Sequence, residues 1–251
     1  MKILITNDDG IDFNGISILK DTLEKEGHEV WICAPEGARS ASSHAISIYK
    51  KIKIKKIEEK KYSCSGYPAD CVLFAVKGAI PVKPDVIISG VNDGYNLSSD
   101  VLYSGTVGAA REGAINRIPA IAVSSERTEE AIIKASRFVC DNLETLILFC
   151  DDTSFVNINV PSSTDGKTWK IGKLGILEYY DNVNEIKKES VELDGEINYI
   201  LQGSAPPQMR EFEDDTDFCL VEKGIISITI LSVLPKVDGN KSILLTNKLS
   251  K

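Results

Sequence analysis

An apolar run that stops at two carboxylates sets the frame for this chain. Ile3-Leu4-Ile5 is apolar on both faces, as a doubly covered strand is, and it ends in the turn-forming residues Asn7-Asp8-Asp9-Gly10. From Gly15 to Glu26, apolar residues fall at Ile16, Ile18, Leu19 and Leu23, a roughly helical spacing, and Gly27 closes the segment. His28 to Ala34 reads as a second strand, ended by Pro35. A strand, a helix and a strand in such short compass make a right-handed parallel crossover. Open α/β sheets bind ligands beyond the C-terminal ends of their strands, which is where Asp8 and Asp9 fall. Neighbouring carboxylates repel unless water or a cation compensates them, so the pair suits a solvated turn or a cation site.

The pattern repeats along the chain. Glu36 to His44 is a loop of small residues that the same topology places beside the Asp pair. Residues 46–62 alternate apolar and polar, as a half-exposed antiparallel hairpin does, and their lysines read as a solvated face. Asp70 can cap a helix over 71–78. Pro84 to Gly90 is another buried strand, running into the polar, Gly-rich loop Val91 to Asn96. Tyr103-Ser104-Gly105-Thr106 opens a helix over 107–116 whose first amides suit a phosphate, with Ser104 or Thr106 serving as hydroxyl donor or simply as N-cap. A strand follows at 119–124, a long amphipathic helix at 129–149 and a strand at 155–160. Beyond Pro161 the reading is a β-rich region, with strands at 169–180, 198–202 and 223–231 and an acidic loop at 210–217. The expected fold is therefore α/β: a Rossmann-like, mostly parallel sheet flanked by helices over 1–161, with a β-rich C-terminal appendage and oligomerisation tail over 162–251.

Composition narrows the function. A net charge of −8 argues against a duplex nucleic-acid binder, whose affinity comes from neutralising phosphates, but not against one phosphate held in a pocket. No leader-like apolar segment and no run of membrane-spanning length is visible, so a cytoplasmic protein without a membrane partner is expected. The six cysteines form no CxxC pair and read as reduced, buried thiols. With only His28 and His44 available, a His/Cys zinc site is hard to build, and a metal here would take oxygen ligands, as magnesium or manganese does. The first strand–helix turn lacks GxGxxG, and neither GxxxxGK[ST] nor GxSxG occurs. What remains is a set of polar loops after consecutive strands, at Asn7 to Gly10, at Arg39-Ser40 and at Gly90 to Asn96.

In combination these motifs resemble the SurE family of survival-protein nucleotidases. The matching residues are Asn7-Asp8-Asp9-Gly10 with Gly15-Ile16, Ala34-Pro35 with Arg39-Ser40, and Gly66-Tyr67-Pro68-Ala69-Asp70-Cys71. Further on they are Ser89 to Asn96, Tyr103 to Val107, Asn157 to Pro161, Thr216-Asp217 and Gly224 to Thr229. The resemblance implies that Asp8, Asp9, Ser40 and Asn92 hold one divalent metal per subunit, Mg²⁺ or Mn²⁺, with Asp8 and Asp9 catalytic. It implies that Asn96, Ser104, Gly105 and Thr106 cradle the phosphate of a nucleoside monophosphate. It further implies a 5′-nucleotidase, extending to 3′-nucleotides and to polyphosphate ends, that forms a homodimer or homotetramer with an exchanged C-terminal segment. The chain departs from the family at Ser40-Ala41, where Ser-Gly is usual, and at Ile230, where Pro is frequent.

Three other readings compete. An aspartyl-phosphate phosphatase wants D-x-D after the first strand, whereas here the acids are adjacent. A receiver-like signalling domain is about half this length and needs a later Asp and Lys where this chain has Asn92 and Ser124. A nucleotide-binding module would bind a nucleoside monophosphate without hydrolysing it.

Overall fold

The structure, a computed structural model, describes residues 1–186 and 198–249. The first half alternates strand and helix. β1 (Lys2–Thr6), α1 (Asn14–Lys25) and β2 (Glu29–Pro35) form the opening crossover, and β3 (Ile54–Glu58) and β4 (Lys61–Cys64) form a hairpin. Then come α2 (Pro68–Phe74), β5 (Val86–Asp93), α3 (Gly105–Ile115), β6 (Ala120–Ser125), α4 (Glu129–Leu146) and β7 (Ser154–Val160). The C-terminal region contributes β8 (Trp169–Ile171), β9 (Leu177–Glu178), β10 (Asp181–Ile186), β11 (Asn198–Gly203), β12 (Gln208–Met209), α5 (Asp217–Glu222), β13 (Ile226–Ser232) and α6 (Gly239–Leu249).

Nine strands join one sheet in the order β3-β4-β2-β1-β5-β6-β7-β13-β8. The strands from β4 to β7 are all parallel to their neighbours, while β3 and β13 pair antiparallel with β4 and β7. This is the mostly parallel α/β sheet expected from the sequence. The sheet also continues past residue 161, because β13 and β8 extend it beyond β7. Alternation along β1 feeds two apolar layers. Ile3 and Ile5 pack with Ile16 and Leu19 of α1 and Phe138 and Val139 of α4, whereas Leu4 faces Val72 of α2 and Val107 and Ala110 of α3.

The chain leaves β1 for β2 on one side of the sheet and later returns to β5 on the other. The C-terminal ends of β1 and β5 thus border the switch point, where open sheets have a crevice. α3 fits close to that point because it is built of small residues. A Cβ at Gly113 would sit 2.9 Å from Ile87 Cδ1 of β5, and one at Gly108 would run into the backbone of Ser43.

Three local expectations change. The hairpin covers 54–64, and 46–53 is irregular; left-handed backbone at Ser43 (φ 53°) and Tyr49 (φ 59°) breaks the extended run. Its Ser47 is held instead by Asp70, whose Oδ1 accepts from the Ser47 amide at 2.8 Å and whose Oδ2 accepts from the Ser47 hydroxyl at 2.9 Å. Asp70 also accepts from the Tyr67 amide at 2.9 Å, so it caps from inside the first turn of a helix that starts at Pro68. The acidic 210–217 loop ends in α5, capped by Thr216, whose hydroxyl accepts from the Cys219 amide.

Candidate active site

Asp8 and Asp9 follow β1 directly. Asn7 closes the turn, donating from Nδ2 to the Gly10 carbonyl at 2.8 Å and accepting from the Gly10 amide at 3.1 Å. Gly10 has φ +105°, and a Cβ there would press on the Gly37 backbone at 3.0 Å, so glycine lets the first and second loops touch. The same loops are joined where the Arg39 amide donates to the Asp8 carbonyl at 2.6 Å.

Asp8 is buried and tied to the start of α3. Thr106 donates to its carboxylate from Oγ1 at 2.7 Å and from its amide at 3.3 Å. Burial pushes the Asp8 carboxyl up, and the Thr106 hydroxyl opposes that shift. Asp9 is pushed up to about 6, first by burial and then by the charge of Asp8, with Asp93 adding to the rise; the Asp93 amide and the Arg127 guanidinium pull the other way. The Asp93 amide donates to Asp9 Oδ2 at 3.2 Å. Asn92 spends its Nδ2 on the Gly94 carbonyl at 2.7 Å, which leaves Oδ1 turned inward, 3.4 Å from Thr106 Oγ1.

Asp8, Asp9, Ser40, Asn92, Asn96 and Ser104 line one cleft of about 710 Å³. Gly105 and Thr106 stand behind its wall: Thr106 is fully buried and its hydroxyl serves Asp8. The Ser104 hydroxyl is the N-cap of α3, accepting from the Val107 amide at 3.1 Å. Asn96 donates from Nδ2 to Ser124 Oγ at 2.8 Å, while its backbone is gripped by Asn157 and Asn159 of β7. Glycine is required at 105, because a Cβ there would lie 2.5 Å from Ser42 Oγ and 3.0 Å from Asp8 Cβ. The Ser42 hydroxyl is itself buried and has no hydrogen-bond partner among the described residues.

Sequence reading missed several residues of this cleft. Asp93, Tyr95 and Tyr103 come from loops already singled out, whereas Asp100 lies in the turn between them, Arg127 follows β6, and Tyr179, Asp181 and Leu201 come from the appendage. The motif loops carried a local signal for the first group. No spacing pattern links positions 8 and 179.

The donor set fits a hard cation. Among the described residues no group of three or more His, Cys, Asp or Glu side chains is placed to hold a metal, so a cation here would rest on two carboxylates plus neutral oxygens. Crowded carboxylates one of which is held near 6, an inward amide oxygen and an exposed hydroxyl on Ser40 are such a set.

Fold and site together define a class: a doubly wound α/β protein with an acidic, oxygen-lined cleft at its switch point and a helix N-terminus beside it. The family described as "Survival protein SurE" matches residues 3–181. The chain is 40% identical over 236 residues to 5'-nucleotidase SurE of Desulfitobacterium hafniense, covering 91% of this chain and 90% of that protein. It is 37% identical over 255 residues to the protein of the same name from Leptospira interrogans, covering 100% and 99%. The crystal structure of the SurE protein from Aquifex aeolicus superposes with a TM-score of 0.80 at 27% identity over the full length of both chains. The chain belongs to the SurE family.

Proposed function

We propose that this protein is a metal-dependent phosphomonoesterase that hydrolyses nucleoside monophosphates to nucleoside and phosphate. Nucleotidase activity follows from membership of a family whose relatives bear the name 5'-nucleotidase. The observation that carries the finer reading is the desolvated Asp8–Asp9 pair facing the first turn of α3. Asp8, Asp9, Ser40 and Asn92 would hold Mg²⁺ or Mn²⁺, which supplies Lewis-acid stabilisation of charge on the phosphoryl oxygens.

The chain's own groups do the rest. Thr106 fixes the Asp8 carboxylate, and Asp8 accepts the proton of the attacking water as its oxygen bonds to phosphorus. The ester P–O bond breaks on the opposite side, and the nucleoside oxygen leaves and takes a proton from solvent, while Asp8 returns its proton to solvent or to the phosphate. Asn96 and Ser104 line the cleft and offer donors to the equatorial oxygens, while Gly105 and Thr106 act behind them, their amides turned to the Asp8 carboxylate. Arg127 adds a positive charge at the rim next to Asp9.

The cleft is open and roomy enough for a 5′- or a 3′-phosphate, or for the end of a short polyphosphate, and we extend the proposal to these. A homodimer or homotetramer built through the C-terminal region is supported by the exposed apolar side chains of Ile230, Leu234 and Val237. Among the described residues no helix is long and apolar enough to cross a membrane.

The test is phosphate release from nucleoside 5′- and 3′-monophosphates and polyphosphate, metal-free and with added Mg²⁺ or Mn²⁺. Metal-dependent release that disappears in Asp8→Asn is expected. A folded wild-type protein that binds nucleotide and releases nothing with any metal would return the reading to a binding module.

A further inference from the structure

The acidic floor accounts for one end of the cleft, and the appendage builds the other. Its attachment is specific. The Gly175 amide donates to Ser98 Oγ at 3.2 Å, the Leu177 amide to Ser99 Oγ at 3.0 Å, and the Tyr179 hydroxyl to Asp100 Oδ2 at 2.5 Å. Ser98 is in turn clamped by buried Asp217, which accepts from its amide at 2.8 Å and its hydroxyl at 2.6 Å. The anchoring turn, 98–102, lies between Asn96 and Ser104, so the appendage is seated on the phosphate loop itself. That seating brings Tyr179, Asp181 and Leu201 into the same cleft as Asp8.

The resulting wall has a definite chemistry. Tyr103, Tyr179 and Leu201 keep 62%, 46% and 65% of their surface open to solvent, a cluster of large apolar groups inside a polar cleft. The tyrosines are near enough for Tyr103 to affect the ionisation of Tyr179, yet among the described residues only Trp31 and Tyr62 stack ring on ring. Tyr103 and Tyr179 therefore leave aromatic faces free. Asp100 uses Oδ2 for Tyr179, and its Oδ1 has no donor among the described residues. Asp181 is a second acceptor at this end, while Arg127 lies across the cleft beside Gly94 and Asp9.

Resting on the nucleotidase reading, we propose that Tyr103, Tyr179 and Leu201 form the slot for the substrate's nucleobase, and that Asp100 selects bases carrying an exocyclic amino group, adenine over hypoxanthine. Any base has a π-face, so stacking on tyrosine supplies affinity without choosing among bases. Selection comes from the carboxylate. An ionised Asp accepts hydrogen bonds and donates none, so an amino group satisfies Oδ1 whereas a keto oxygen sets acceptor against acceptor. A site built to hydrogen-bond one group rejects the analogue lacking it, because its own polar atom is then left unpaired.

The experiment compares kcat/KM for AMP, IMP and ribose 5-phosphate in the full-length protein with Mg²⁺ or Mn²⁺. AMP is expected to exceed IMP by about tenfold or more, and Asp100→Asn to bring that ratio close to one, since an amide both donates and accepts. Tyr179→Ala is expected to lower the ratio of AMP to ribose 5-phosphate about tenfold, with Leu201→Ala acting in the same direction. Tyr179→Phe keeps the ring and should hold that ratio, which separates lost stacking from damage to the fold. Equal use of AMP and IMP by the wild type overturns the amino selection. An AMP to ribose 5-phosphate ratio untouched by Tyr179→Ala and Leu201→Ala overturns the slot. If the wild type releases phosphate from none of the three, the nucleotidase reading falls, and adenosine judges the slot alone. Saturation transfer in NMR must then reach its base protons more strongly than its ribose protons and weaken in Tyr179→Ala, and the opposite result overturns the proposal.

Discussion

Replacing Thr106 by Val separates two roles that its position allows. Val has nearly the shape of Thr, so the substitution opens no cavity and removes one hydroxyl, whose oxygen lies 2.7 Å from Asp8 Oδ1 in a fully buried setting. A hydrogen bond to a charged group is worth about 1.5–3 kcal/mol, so a loss of about 2 kcal/mol is expected at neutral pH in the metal-free protein. At this chain length that lowers Tm by about 4–8 °C. The loss should shrink in acid. The Thr106 hydroxyl stabilises the ionised form of Asp8, and burial already holds that carboxyl above its ordinary value. Once Asp8 is protonated the hydroxyl has less to stabilise, so the two proteins should converge as pH falls through the raised Asp8 pKa. Affinity for Mg²⁺ should fall with the stability, because the carboxylate is no longer oriented. Thermal unfolding at pH 7 and pH 4, with calorimetric titration of Mg²⁺, reads all three effects. A variant that melts with the wild type at both pH values and binds Mg²⁺ equally, while KM alone rises, would refute the argument and return Thr106 to direct contact with the phosphate.

Other outcomes follow from the same geometry. Ala41→Gly should stabilise the protein, because Ala41 has φ +55° and an L-residue there costs about 1–2 kcal/mol, offset in part by the greater chain entropy of glycine; a lower midpoint in urea would contradict this. Asp9, at about 6 against an ordinary 3.8, works against the fold as pH climbs through that interval in metal-free protein. A cation must also displace its proton below about 6, so Mg²⁺ or Mn²⁺ affinity should rise with pH up to that point and then level off, and a flat profile in calorimetry would count against Asp9 as a ligand. Phe155→Ala, at a fully buried ring that also supports the Arg111 guanidinium 5.5 Å from its centroid, should cost about 4 kcal/mol by denaturant titration, and a loss below about 1 kcal/mol would show that the site collapses freely.

Much of the central sheet was legible because several of its buried strands end at turn-forming or strand-breaking residues: Asn7 after β1, Pro35 at the end of β2, Pro161 after β7. The ends of β1 and β5 also located Asp8, Asp9, Asn92 and Asn96 at one edge. Alternation failed at Ile46 to Tyr49, where the apolar spacing is right but tertiary bonds from Asp70 and the left-handed Tyr49 decide the backbone. It failed again at Thr216-Asp217, where an N-cap pattern hid behind a run of surface acids and the second acid is fully buried against Ser98. The base-side wall was illegible for a different reason. Tyr179 reaches the cleft because Leu177 and its own hydroxyl bond to side chains of a turn some eighty residues earlier, and Leu201 because it pairs with Val183 across β10 and β11; such bonds leave no period in the sequence.

The antiparallel strand β13 sets a timing problem for the newborn chain. β7 is buried on both faces, and its side away from β6 is paired, from Ser154 to Asn159, by Ser232 to Ser227. On the ribosome β7 emerges first, and residues 161–225 must follow before its partner arrives. At about 5–20 residues per second that is roughly 3–13 s during which a row of unpaired amides and carbonyls faces the cell. A chain interrupted anywhere in that stretch keeps the edge open for good, so premature termination there would yield a sticky ribbon instead of a smaller enzyme.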